Sequence, residues 1–265
     1  MRMLHTLAPH WRYAWLLTAS FIAGIMNAIA GGGSFLSFPA MLAIGVAPIQ
    51  ANATNTVALW PGQLTSVAAL RTDLRRDLLP VIVTASILGG VGGAIVLLHT
   101  PQVTFLNLVP WLLLVASLLF GISGPVSRWV RRRSTSTSTA PRTRCTPPAV
   151  PLFLVLLPIC FYIGYFGAGA GFLIMSALAL FGVEEMNKLN ALKVLAACLS
   201  NLCAVLTFII SGAIVWHYCF VSMLFAGTGG YVGARYARRM DADVLRSVVV
   251  VTGLTMAAYF FWRRY

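Results

Sequence analysis

The chain has 265 residues, of which 59% are hydrophobic and 9% charged, and its formal net charge is +13. Soluble domains carry about 25% charged residues because a water-facing surface has to be covered, so a water-soluble globular class is excluded and lipid is the expected solvent. The positive charge sits in connectors, at Arg71, Arg75 and Arg76, from Arg128 to Arg144, and at Arg235, Arg238 and Arg239. This is the pattern of cytoplasmic loops, and with no soluble domain to present a basic surface, nucleic acid is not an expected partner.

The first run without Asp, Glu, Lys or Arg extends from Tyr13 to Leu70, and a membrane helix needs roughly 20 residues. It opens with an apolar stretch, Tyr13 to Gly45, too long for one untilted helix and interrupted at Ala30-Gly31-Gly32-Gly33-Ser34. Glycines weaken a helix by about 1 kcal/mol each relative to alanine. Unwound backbone at membrane depth must find partners in protein or line a cavity. The N–H groups that open the next helix would then suit an anion; close helix packing through small residues is the competing use of such glycines. Asn27 precedes the break, and Thr54, Asn55, Thr56, Trp60 and Gln63 follow it.

A second charge-free run, Leu78 to Ser127, continues the first half. Residues 127–149 contain RRRSTSTSTAPRTRCTPPA, a basic Ser/Thr/Pro-rich composition that cannot pack a core and reads as a flexible cytoplasmic connector. It separates a first membrane repeat, residues 1–126, from a second, residues 150–265. The second half opens on a matching apolar stretch, Val150 to Gly182, interrupted at Gly167-Ala168-Gly169-Ala170-Gly171. Asn190, Lys193, Ser200 and Asn201 follow that break, and Lys193 is one of only two lysines in the chain. It would either reach the cytoplasmic surface along its stem or supply a counter-charge in a cavity.

The halves read as copies of one unit. Gly32-Gly33-Ser34-Phe35-Leu36 aligns with Gly169-Ala170-Gly171-Phe172-Leu173, Gly45-Val46 with Gly182-Val183, and Gly89-Gly90 and Gly93-Ala94 with Gly229-Gly230 and Gly233-Ala234. Four matches in order indicate an internal repeat. Asn55 and Gln63 correspond to Lys193 and Asn201 at the same eight-residue spacing, which puts each pair on one stripe of a helix. Equivalent connectors carry opposite basic character: Arg71 to Arg76 against Ser211 to His217, and Gly45 to Ala51 against Glu184 to Lys193. Opposite sidedness of equivalent loops implies inverted repeats, although Arg2, Arg12, Arg263 and Arg264 then fall on the outer face. The fold expected is an all-α integral membrane protein of two inverted repeats, each a glycine-broken helix or re-entrant hairpin followed by about three spans.

All six acids, Asp73, Asp77, Glu184, Glu185, Asp241 and Asp243, fall in connectors, so a buried carboxylate relay or carboxylate cation site is not expected. Five cysteines lack CxxC spacing and no histidine pair has metal-ligand spacing, so neither a disulfide framework nor a metal is expected. Phosphate-loop, nucleophile-elbow and HExxH patterns are absent, and no enzyme activity or cofactor is expected.

The stretch Gly31-Gly32-Gly33-Ser34-Phe35-Leu36-Ser37-Phe38-Pro39, followed by Pro48-Ile49-Gln50-Ala51-Asn52-Ala53-Thr54-Asn55-Thr56, resembles the signature of the TauE/SafE sulfite exporter family, and Gly233-Ala234-Arg235 is similar to its second-half motif. The second half departs from the pattern, with Ser176 in the place of Pro39. The resemblance implies export of small sulfur-containing anions, sulfite or organosulfonates, across a prokaryotic cytoplasmic membrane. An anion channel and a permease for another small organic anion are the alternatives. Its expected partners are the anion, membrane lipid and, left open, a second copy in a homodimer. The candidate binding set is Asn27, Gly31, Gly32, Gly33, Ser34, Thr54, Asn55, Gln63, Gly167, Gly169, Gly171, Asn190, Lys193 and Asn201.

Overall fold

The computed structural model describes residues 2–29, 32–136, 148–183, 185–236 and 242–264, and every regular element in them is helical. In chain order these are α1 (Arg2–Ile29), α2 (Ser34–Ala43), α3 (Pro48–Leu70), α4 (Leu79–His99), α5 (Gln102–Ser136), α6 (Ala149–Tyr165), α7 (Ala170–Leu180), α8 (Met186–Ile210), α9 (Trp216–Tyr236) and α10 (Ala242–Arg264). Two 3-10 turns, Arg71–Asp73 and Arg76–Leu78, join α3 to α4; there Arg75 Nε donates to Asp77 Oδ1 at 3.1 Å in an exposed ion pair. Arg76–His99, Gln102–Leu119 and Met186–Ile210 are long and apolar enough to cross a membrane, and shorter apolar helices accompany them. Large apolar side chains such as Leu88, Leu118, Leu154, Leu206, Leu224 and Val251 stay exposed on the outside, as a hydrocarbon solvent allows.

Both long apolar stretches divide at their glycines into a long helix and a short one, α1 with α2 and α6 with α7. Each short helix stops in the same way. At the end of α2, Gly45 (φ +95) donates to Leu42 O at 3.0 Å, and Val46 donates to Met41 O at 3.2 Å. Gly182 (φ +86) and Val183 repeat this on Ala179 O and Leu178 O, each at 3.1 Å. This is the Schellman stop, in which a left-handed residue lets two N–H groups reach back to the last free carbonyls. It explains why the two Gly-Val pairs align. Pro48 then opens α3 at a position where a missing N–H costs nothing.

The packing of the halves corresponds element by element. α4 lies on α6 as α9 lies on α1, and these are the two most extensive pairings; α4 meets α8 as α9 meets α3, and α7 touches α5 as α2 touches α10. α3 with α8 and α5 with α10 pair across the halves with their own counterparts. Glycines permit the closest of these approaches. A Cβ on Gly93 would lie 2.1 Å from Phe161 O, and one on Gly229 would lie 2.0 Å from Phe21 O. Gly89 and Gly93 of α4, like Gly229 and Gly233 of α9, are four residues apart and face one neighbouring helix, the small-residue spacing of packed membrane helices.

Two boundaries differ from those expected of the sequence. α5 runs on to Ser136, nine residues into the basic connector past Ser127, because Arg128 to Arg133 offers good helix formers before the Ser/Thr alternation begins. Residues 137–147 of that connector lie outside the described residues. α8 starts at Met186, which moves Lys188 and Lys193 from the connector into the helix.

Candidate functional site at the paired breaks

The second break is a tight turn built on two left-handed glycines, Gly167 (φ +76) and Gly169 (φ +73), a conformation that other residues adopt only at a cost. Phe166 and Gly167 both donate back to Tyr162 O, at 2.9 and 3.1 Å, which closes the end of α6. The Tyr162 hydroxyl donates to Ala168 O at 2.8 Å and so satisfies a carbonyl of the turn itself. No side chain caps α7, and the N–H groups of its first turn have no carbonyl a turn earlier to bind. Those of Ala170 and Gly171 bond to no described residue. They point where a partial positive charge accumulates.

Lys193 lies across this helix start. It is the eighth residue of α8, half-buried, and its stem crosses Gly171 so closely that a Cβ there would meet Cδ at 3.5 Å and Cγ at 3.7 Å. The ammonium forms no hydrogen bond or ion pair with any described residue. Asn201, two turns further along α8, is buried with Oδ1 3.7 Å from the place of a Gly167 Cβ. Its Nδ2 donates to Gln63 Oε1 of α3 at 3.0 Å.

The first break is described from Gly32 onward; Gly31 lies outside the described residues. A Cβ on Gly33 would sit 2.3 Å from Ala23 O, six residues before α1 ends, so α2 starts folded back against α1. Ser37 Oγ, one turn into α2, reaches Gly33 O at 3.1 Å and Asn55 Oδ1 at 2.5 Å. Asn55 is the eighth residue of α3, the place that Lys193 holds in α8. Ser34 is half-buried at the start of α2, and a Cβ on Gly32 would have the Val249 side chain, at 2.8 Å, as its closest neighbour.

Two of the three amide oxygens are taken up within the protein, that of Asn201 is not, and most of the donors are left over. Asn55 Oδ1 takes the Ser37 proton and Gln63 Oε1 takes one from Asn201, while Asn55 Nδ2, Gln63 Nε2 and Lys193 Nζ bond to no other described residue. Among the described acids, Asp73, Asp77 and Glu185 stand outside the long helices and Asp243 is the second residue of α10. A donor-rich group of this kind, holding one ammonium and no carboxylate, is chemically matched to an oxyanion.

Other expected site residues are placed differently. Thr54 Oγ1 is taken by Val215 N at 3.0 Å and so fastens the loop between α8 and α9. Asn27 and Asn190 are half-buried, and their side chains bond to no described residue. Ser37, Asn52 and Tyr162 are not singled out as site residues by the sequence. Ser37 stands within the glycine-run motif, but nothing marks it apart from Ser34. Asn52 Nδ2 donates to Tyr165 O at 3.0 Å, tying α3 to the end of α6.

The halves also meet through equivalent residues. The Asn201–Gln63 bond and a second one, Trp60 Nε1 to Cys198 O at 3.2 Å, both join positions 138 apart. Asn52 and Asn190, and Asn55 and Lys193, have the same separation. Because either amide can donate or accept, exchanging the two residues (Gln63→Asn with Asn201→Gln) is expected to keep the melting temperature of the detergent-solubilised protein within a few degrees. Asn201→Leu, which leaves Gln63 without its partner, should cost about 1–2 kcal/mol.

The sulfite exporter TauE/SafE profile matches residues 16–260, a span that takes in both breaks and reaches from α1 into α10. The chain belongs to the sulfite exporter TauE/SafE family. Among its relatives, the probable membrane transporter protein ORF9 of Sinorhizobium sp. is 31% identical over 92% of this chain and 90% of that one. The probable membrane transporter protein YfcA of Escherichia coli K12 is 26% identical over 92% and 87%. A probable membrane transporter protein of Haemophilus influenzae is 27% identical over 92% of both chains. No solved structure matches. Membership makes this TauE/SafE chain a multi-pass membrane transporter and not an enzyme.

Proposed function

We propose that this transporter exports small sulfur-containing anions, sulfite or organosulfonates, across the cytoplasmic membrane by alternating access around the paired breaks. The observation that carries the proposal is Lys193, unpaired among the described residues and laid over the uncapped start of α7, with amide donors of Asn55 and Gln63, on the neighbouring helix α3, that bond to no described residue. First-turn N–H groups at Ser34 and at Ala170 and Gly171 would hold the anion's oxygens, and Gly32, Gly33, Gly167 and Gly169 keep the backbone close enough to do so. Asn27 precedes the first break near the end of α1, and Asn190 stands in the second turn of α8.

The one-for-one exchange of helix pairings between the halves supports an inverted repeat, as does the opposite basic character of equivalent loops. The halves differ where a two-state carrier should. Asn52 is bonded to the end of α6, whereas its counterpart Asn190 is without a described partner. In the opposite-facing state Asn190 is expected to bond the end of α1 and Asn52 to be released. Both half-sites lie in one chain, so the reading does not require a homodimer.

Proteoliposomes loaded with radiolabelled sulfite test it. Saturable efflux accelerated by sulfite on the far side is expected, and Lys193→Ala with Gly32→Leu should reduce it to background. Efflux that neither saturates nor shows counterflow would instead indicate a channel, and undiminished efflux in the double variant would sink the assigned site.

A further inference from the structure

The two half-sites coincide in position and differ in charge. At the eighth residue of α3 stands Asn55, a neutral amide whose oxygen is occupied by Ser37. At the eighth residue of α8 stands Lys193. The offset of 137 that pairs Gly32 with Gly169 and Pro39 with Ser176 makes Ile174 the counterpart of Ser37, and an isoleucine offers an ammonium nothing to bind. One half-site therefore has a hydroxyl holding an amide, and the other an ammonium with no described acceptor. The four helices that build the site carry little charge besides. α2, α3 and α7 have no charged residue, and the other lysine of α8, Lys188 in its first turn, is paired with Glu185 at 2.6 Å. Among the described residues of these four helices, Lys193 is the one unpaired charge.

We infer that the site, with the Lys193 ammonium as its one charge, takes singly charged anions in preference to doubly charged ones. The inference rests on the reading that the breaks hold the transported anion, and it adds the charge class of that anion. A monoanion beside Lys193 gives a neutral pair, which can be enclosed among apolar helices. A dianion leaves a net negative charge in the same surroundings, where desolvation is incompletely offset by amide donors alone. The amides do not reverse this, since their dipoles attract a dianion more strongly but leave its second charge unneutralised. For an oxyanion that can be protonated, the singly charged form is the one that enters, and its proton then crosses bound to the substrate. A protein-borne carboxylate relay, which these four helices lack, is not needed.

The test compares methanesulfonate, a permanent monoanion, with sulfate and thiosulfate. Each is titrated against the purified full chain in detergent at constant ionic strength, with binding read from the rise in melting temperature. Methanesulfonate is expected to bind on the order of 100-fold more tightly than either dianion, as the desolvation of one uncompensated charge implies. Lys193→Gln should bind methanesulfonate at least about tenfold more weakly and the dianions more weakly still, so that the preference widens, while melting like the wild type without ligand. Asn55→Lys, which places a second ammonium at the equivalent position, should raise dianion affinity and narrow the ratio. Should Asn55→Lys not fold, the Lys193→Gln comparison decides by itself. Equal binding of both classes by the wild type, or a preference in Lys193→Gln that does not widen, would overturn the charge selection and leave the anion site standing. Failure of every anion to bind the wild type would remove the site and this inference with it.

Discussion

Gly93→Ala is expected to lower the stability of the folded protein by about 1–3 kcal/mol, the usual cost of forcing an extra methyl into a packed contact, and to reduce the folded yield from membranes accordingly. The new carbon would fall 2.1 Å from Phe161 O and 2.7 Å from Tyr165 N. Both atoms are backbone of α6, so no side chain can turn aside; α4 and α6 would have to separate. The residue just before it provides the control. A Cβ on Gly92 meets only the Phe161 ring, at 3.5 Å, an ordinary contact, and alanine improves helix propensity by roughly 1 kcal/mol. Gly92→Ala should therefore be neutral or slightly stabilising in the same thermal melt. Because α9 packs on α1 as α4 packs on α6, Gly229→Ala, at 2.0 Å from Phe21 O, should repeat the loss. Equal melting of Gly92→Ala and Gly93→Ala would refute the packing account.

On the proposed function, Gly171→Leu is expected to reduce sulfite flux by at least about tenfold, a change of roughly 1.4 kcal/mol or more in the binding step, while leaving the protein folded. The Lys193 stem occupies the space above Gly171, with Cδ 3.5 Å from the place of a Cβ. A single methyl fits at that distance, so Gly171→Ala should transport nearly normally. A leucine needs the volume that the lysine fills, and would displace the ammonium from the start of α7. The matched measurement is initial efflux from proteoliposomes, normalised to folded protein by size-exclusion recovery. If Gly171→Leu and Gly171→Ala transport equally well, Lys193 does not act at this helix start.

How much of the fold and the site is legible in the sequence varies with the kind of signal. The two broken stretches are plain, since a cluster of glycines weakens a helix at the point where it falls, and the Gly-Val stops align because one backbone conformation favours a residue without a Cβ. The spacing of Asn55 and Gln63 against Lys193 and Asn201 also carries over, because helices α3 and α8 begin seven residues before the first of each pair. The start of α8 is harder to place, because Lys188 and Lys193 look like connector charge when no side chain caps the helix. The role of Thr54 is hidden for a different reason. Its hydroxyl meets Val215 N, 161 residues away, and no local pattern reports a partner at that distance. Ser37 and Tyr162 are invisible in the same way, as single hydroxyls whose acceptors are backbone atoms or a distant amide.

The meeting of α3 and α8 through Trp60 with Cys198 and Gln63 with Asn201 constrains how the two halves can diverge. A contact in which each position faces its own counterpart is isologous, the arrangement by which two identical subunits bury the same patch on each other. At such a seam a residue has to suit its duplicate, and glutamine opposite asparagine does so because both are donor and acceptor at once. Away from the seam there is no such requirement, and there the copies have parted, one with an amide at position 55 and the other with an ammonium at position 193. On the reading of the halves as copies, drift would be held at the crossing and released beside it, leaving the proposed site with a single charge.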